Sequence, residues 1–272
     1  MHRLVFVALS LGGAACSIDT QHGEVGVYQA PASAGAPSTV PDPGPDTPAF
    51  FLIMSLRDFK RYDPNDPTTN PAFDNVDSEK SVVEGVLGAD HKPVYRPPMN
   101  AFPSYGQAAF DQWYRDVPGT NVPVPYPLPI SRDADGVYEY DSQKSGKPDT
   151  YLGVDRRVFF PLDDGDPYAT PFGNQGSNHN QAFTAELHAG FTAVQGATLQ
   201  VRADDDLYLF IDDKLAIDLG GTHSAIVRDL DLDTLSLTAG RAYRLDLFYA
   251  ERRGATGDLL LKTSLELTRV ID

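Results

Sequence analysis

LYLFIDDKLAIDL, residues 207–219, decides the fold. Two runs rich in leucine, isoleucine and aromatics are separated only by Asp212 and Asp213. A two-residue link between such runs is a β-hairpin turn, which demands left-handed backbone angles that Asp accepts and Gly takes more easily. The pattern extends outward in both directions. FTAEL (183–187), FTAV (191–194) and TLQVR (198–202) precede the hairpin; LSL (235–237), AYRLDLFYA (242–250) and LLLKTSLEL (259–267) follow it. Each is a short β-branched, leucine or aromatic run between turn signals. In AYRLDLFYA, Tyr243, Leu245, Leu247 and Tyr249 fall on one side, Arg244 and Asp246 on the other. In LLLKTSLEL, Leu259, Leu261, Leu265 and Leu267 alternate with Lys262 and Glu266. Period two predicts a sheet with one buried and one wet face.

Further upstream, AFFLIMSLRDF (49–59) reads as a buried strand. Helices are expected around Ser78–Leu87 and Gln107–Arg115. Residues 117–180 carry turn chemistry, and Pro123, Pro125, Pro127 and Pro129 at alternate positions forbid a long helix. The class is all-β, an antiparallel sandwich or barrel with one or two short helices, over residues 49–272 with its core at about 182–268.

The first 48 residues are of another kind. MHRLVFVALSLGGAAC has a basic start, an apolar run from Leu4 to Leu11 too short to span a bilayer, and small residues before Cys16, the only cysteine. This resembles the bacterial lipobox, in which the thiol is acylated and becomes the new N-terminus. Gly13 departs from the Leu, Val or Ile usual at its position. The competing reading is an ordinary signal peptide cleaved near Ala15. The resemblance implies a signal peptide over 1–15, lipidation at Cys16, and membrane attachment through that lipid at the outer membrane or cell surface. Residues 16–48, with six prolines from Pro31 to Pro48, are too polar to bury a core and read as a semi-stiff tether.

With 22 basic against 38 acidic residues, the formal net charge is -16. Nucleic-acid binding needs clustered Lys and Arg, so the balance argues against that partner. An acidic excess suits either cation binding or a soluble, self-repelling surface. The densest signal is RADDDLYLFIDDKLAIDLGGTH (202–223), where Asp204, Asp205 and Asp206 are consecutive. Adjacent carboxylates need a counter-charge, water or a hard cation with oxygen ligands, and calcium suits irregular oxygen geometry. The plainer reading is a solvated acidic turn. Gly220 and Gly221 suggest positive φ or a close approach, and Asp218 with His223 could hydrogen-bond to order that turn. No nucleophile motif accompanies His223. Trp113 and Tyr114 read as core anchors rather than a sugar platform, and DADGVYEYD (133–141) as a hairpin turn.

DDDLYLFIDDKLAIDLGGTH followed by LDLFYAER (245–252) resembles the fibro-slime domain family. LRDF (56–59), NPAF (70–73), FDQWYRD (110–116), VFFPLDD (158–164) and QAFTAEL (181–187) occur in that family's order, so the resemblance covers roughly residues 49–267. It implies a jelly-roll-like sandwich of the protective-antigen type. In sugar-binding members of that wider group, two adjacent Asp joined by a cis peptide bind calcium, and the ion holds sugar hydroxyls. Carried onto this chain, the resemblance implies Asp204 and Asp205 as the calcium pair. It draws Glu251 and Asp258 from the loop ERRGATGD (251–258) as further ligands, with Asp206, Asp218 and His223 at the binding turn. Gly257-Asp258 stands where the family commonly has Ser-Asn. The implied function is a calcium-dependent surface module recognising glycan or exopolysaccharide. A structural matrix protein with a stabilising calcium is the alternative, and a glycosidase ranks last because no carboxylate spacing favours hydrolysis.

Overall fold

The computed structural model describes residues 49–74, 82–97, 105–149, 155–175 and 178–270. The signal segment, Cys16 and the tether lie outside them, as do residues 78–81 of the first expected helix. The strands are β1 (Phe50–Phe59), β2 (Asn121–Arg132), β3 (Tyr138–Asp141), β4 (Lys147–Asp149), β5 (Arg156–Val158), β6 (Phe183–Thr192) and β7 (Thr198–Ala203). They continue with β8 (Asp206–Ile211), β9 (Lys214–Leu219), β10 (Ile226–Asp231), β11 (Ala242–Glu251), β12 (Leu259–Thr263) and β13 (Thr268–Arg269). Two short α-helices, α1 (Gly106–Phe110) and α2 (Ser142–Ser145), complete the described α/β elements. No helix among the described residues is long and apolar enough to cross a membrane.

Every pairing is antiparallel, in the order β10-β7-β12-β3-β2-β1-β6-β11-β8-β9, with β13 on β6 and β4-β5 as a separate hairpin. The end strands β9 and β10 come back beside each other, so the sheet nearly closes into a flattened barrel. Its interior is filled by alternate residues of facing strands, among them Leu56, Leu187, Val201, Leu209, Leu247 and Leu261. The all-β antiparallel class stands. The core is not confined to residues 182–268, however, because β1, β2 and β3 hold the middle of the sheet.

β2 is the longest strand, although its prolines read as turn chemistry. Alternate residues of an antiparallel strand present their N–H and C=O to the same neighbour. Ile130 O faces β1 and accepts from Ala49 N–H, so Val122, Val124, Tyr126 and Leu128 also face β1. The four prolines then turn their missing N–H toward the open edge, where no ladder bond is lost. Proline spacing of two marks the side of β2 left open before its short pairing with β3.

The second face of β6, β8 and β11 is not wet. Tyr208, Phe210 and Phe248 point away from the barrel interior into a separate aromatic core with Phe59, Phe110, Trp113 and Tyr114, built by the segments that follow β1. Trp113 and Tyr114 are fully buried there. Asp246, expected at a wet surface, is buried and its Oδ1 lies 2.6 Å from His188 Nδ1 and 2.7 Å from Arg244 Nε. Residues 82–87 are extended rather than helical, with Val83 bridged to Tyr95 and Val86 to Lys214. Gly85 and Gly88 weaken helix formation in that stretch.

The Asp212–Asp213 turn is as expected, with φ of 51° and 64° between Ile211 and its partner Lys214. Asp213→Gly removes left-handed strain at the cost of an exposed His91 contact. It should raise the melting temperature by about 2 °C, checked by thermal unfolding.

Candidate cation site

The site is made where the chain crosses between the two halves of the barrel twice, side by side. β7 hands over to β8 through Asp204 and Asp205, and β11 hands over to β12 through residues 252–258. β8 is hydrogen-bonded to β11 with Asp206 opposite Ala250, and β7 to β12 with Ala203 opposite Leu259. These registers force the two crossovers into contact. Asp204 N–H donates to Asp258 O across them at 3.1 Å.

Ligand oxygens of Asp204, Asp205 and Glu251 consequently lie within 4.8 Å of one another, and all three residues are buried. Asp205 takes a left-handed backbone, φ 63°, which Asp tolerates better than most residues. No peptide among the described residues is cis, so the cis link carried by the resemblance is replaced by this left-handed turn. Asp205 Oδ2 accepts the N–H groups of Arg252 at 2.9 Å and Arg253 at 3.1 Å, and Oδ1 that of His223 at 3.2 Å. One carboxylate thus ties three segments. Asp204 Oδ2 accepts from Thr256 Oγ1 at 2.7 Å. Glu251 Oε2 accepts from Tyr249 Oη at 2.9 Å, while its Oε1 is buried with no hydrogen-bond donor among the described residues.

Burial and mutual repulsion set the electrostatics. Asp204 is pushed up to about 7, chiefly by burial and then by the charge of Asp205, against the Thr256 hydrogen bond. Burial likewise raises Asp205 to about 6, offset in part by the Arg252 N–H. Glu251 is held well above the usual carboxylate range by burial and by both aspartates. Such a group holds protons or a hard cation. The donors are all oxygen, as calcium requires, and one acceptor of the group, Glu251 Oε1, is unsatisfied among the described residues. The residues fit the ion.

The remaining residues of the expected site are employed elsewhere. Asp258 stands apart: it lies two residues before Leu260, whose strand partners are Arg202 and Asp141, and so shares their outer face. Arg202 grips both its oxygens at 2.8 and 2.9 Å, with Ser142 and Gln143 adding bonds of 2.7 Å each. Asp206 has Oδ2 on Arg252 Nε at 2.6 Å and Oδ1 on Tyr208 Oη and Gly221 N–H. Asp218 and His223 do not pair with each other. Asp218 accepts from Gly220 N–H at 2.9 Å, and His223 turns its ring nitrogens to the carbonyls of Ser224 and Leu219. Both glycines of that turn are needed: Gly221 has φ 98°, and a Cβ on Gly220 would meet Tyr208 Oη at 2.7 Å.

Tyr249, Thr256 and Arg252 partner the cluster and were not among the residues expected there. Tyr249 was discoverable, because period two puts it on the same face as Glu251. The position of Thr256 in an irregular loop gave no such signal.

The chain is similar in sequence to curated proteins. Protein psiD of Dictyostelium discoideum is 36% identical over 200 residues, covering 69% of this chain and 37% of its own length. Protein psiC of the same organism is 33% identical over 242 residues, covering 81% of this chain and 45% of its own. The chain therefore spans less than half the length of these curated relatives. Among solved structures, the PA14 domain of MpAFP antifreeze protein is 11% identical with a TM-score of 0.32, covering 79% of this chain and 82% of that one. The PA14 domain matches residues 135–271, 137 of the 272 residues, and takes in the carboxylate cluster together with both crossovers that build it. The chain belongs to the PA14 domain family.

Proposed function

We propose that this chain is a surface module of the fibro-slime branch of PA14 domains, binding glycan or exopolysaccharide through a calcium ion held by Asp204, Asp205 and Glu251. The reading rests on one observation: three buried carboxylates converge within 4.8 Å while Glu251 Oε1 has no hydrogen-bond donor among the described residues. Calcium takes six to eight oxygens, so three carboxylates leave positions for loop carbonyls, water or a pair of sugar hydroxyls. The loops around 222–225 and 253–256 are at least partly exposed and give a ligand its approach. Lipidation at Cys16 and the proline-rich tether would hold the domain off an envelope membrane, which is how a glycan-binding module reaches its target. A binding module, not an enzyme, fits the cluster. Its acids crowd one another under the surface, whereas glycoside hydrolysis needs two carboxylates flanking an open cleft.

The burial of all three acids favours a second reading, in which calcium only stiffens the crossovers. A glycan array separates the two. The full chain should be retained on at least one polysaccharide with calcium and released by chelator, and Asp204→Asn with Asp205→Asn should abolish both ion uptake and retention. Calcium uptake with no retention on any glycan selects the structural reading. No uptake overturns both.

A further inference from the structure

Beside the outer edge of β2 lies a cleft of about 680 Å³, lined by Pro129, Arg132, Glu139, Lys144, Arg157 and Lys262 among others. Four cations around one cleft are unusual for a chain with 38 acidic and 22 basic residues. The acids nearby pair with two of them, Lys144 and Lys262, and leave the two arginines. Glu139 is shared by Lys144 and Lys262. Asp141 is taken by Arg202 at 2.6 Å and also caps α2, and Asp133 accepts the N–H groups of Asp135 and Val137 in its hairpin. Arg132 lies over the Tyr138 ring, 5.5 Å from its centroid, and Arg157 donates to Gly146 O at 2.8 Å. Among the described residues neither of these exposed guanidinium groups has a carboxylate partner.

Ser145 also lines a second cleft, of about 190 Å³. There the half-buried rings of Tyr126 and Tyr168 meet edge to face with centroids 5.1 Å apart. Ser145 borders both clefts and each takes in residues of β2, so they adjoin at its open edge. That edge cannot accept a peptide strand, because its outward prolines have no N–H to offer. It can accept a polymer recognised by charge and by ring faces.

We propose that this edge is a second binding groove, selective for acidic polysaccharide carrying uronate carboxylates. Arg132 and Arg157 pair with the carboxylates, where planar guanidinium forks match carboxylate geometry. Tyr126 and Tyr168 pack on the apolar faces of the sugar rings. The groove does not depend on the calcium reading: the Asp141–Arg202–Asp258 ion pairs stand between it and the carboxylate cluster.

The test is retention of the full chain on immobilised polygalacturonate in excess chelator, with neutral dextran as control. Binding to polygalacturonate alone is expected, weakening as salt rises because the site is exposed. Arg132→Ala combined with Arg157→Ala should weaken it about tenfold, and Tyr126→Ala severalfold. Arg157→Glu, a single change at an exposed side chain, gives the same reading should the double variant fail to fold. No binding in chelator, equal binding to dextran, or undiminished binding by the arginine variants overturns the groove. The chelator keeps this result separate from the calcium site, whose failure would leave polygalacturonate binding intact.

Discussion

Arg252→Met is expected to destabilise the domain by about 3–5 kcal/mol, lowering the melting temperature by roughly 10–15 °C. The side chains of Arg252 and Asp206 are both fully buried, with Nε 2.6 Å from Oδ2. The guanidinium carbon also lies 5.3 Å from the Trp113 ring centroid and 5.5 Å from that of Tyr105, so it joins the turn to the aromatic core. Methionine keeps the length of the stem and removes the charge. Asp206 is then left in the interior with Tyr208 and Gly221 as its donors among the described residues, and an uncompensated buried carboxylate costs far more than the lost pair was worth. Adding Asp206→Asn should recover part of the loss, because the carboxamide oxygen still accepts from both donors and carries no charge. A single variant melting within 2 °C or so of the parent would show that the pair does not hold this corner together.

That corner also shows what the chain reveals by pattern and what it conceals. The β8–β9 hairpin was legible because two aspartates between apolar runs admit few other backbones, and both adopt positive φ. β10 was hidden: IVRDLD is mostly exposed and charged, as a sheet-end strand must be to avoid pairing with another chain. LSL (235–237) shows the opposite failure, since Leu235 closes the 3-10 turn Leu232–Leu235 and Ser236 takes φ 55°. FTAEL and the first two residues of FTAV belong to one strand, β6, because the Gly190 between them pairs with both Arg244 and Thr268 instead of breaking it.

The cluster itself was only half legible. Asp204 and Glu251 are 47 positions apart, and no local spacing announces that they meet. Their meeting follows from two strand registers, which only tertiary structure fixes; the family resemblance supplied it beforehand. Asp258 illustrates the limit of carrying a loop over by resemblance. Residue type suited an ion, but strand alternation puts its side chain beside Arg202 on the outer face.

Calcium should change the pH dependence of stability in a direction the cluster dictates. Asp204 at about 7, Asp205 at about 6 and Glu251 well above its normal range all bind protons more tightly folded than unfolded. Without calcium, their contribution is fully present below the unfolded pKa values near 4 and is lost as pH rises through about 6 and 7. The metal-free chain should therefore lose stability between pH 5 and about 8, by a few kcal/mol from these groups. Calcium binds the deprotonated cluster, so its affinity rises over the same window. At a calcium concentration about a hundred times Kd, the ion adds about 2.7 kcal/mol, or roughly 5–10 °C at pH 8, and little at pH 5. Glu251→Gln serves as the control, since carboxylates elsewhere titrate equally in both proteins. Its metal-free form should be the more stable of the two at pH 8, and its calcium response should largely vanish. Thermal unfolding of both proteins at pH 5 and 8, with calcium and with chelator, reads all of these at once. If parent and variant show the same pH slope in chelator, the three acids do not share a strained site; if calcium leaves the parent unmoved at pH 8, they do not hold the ion.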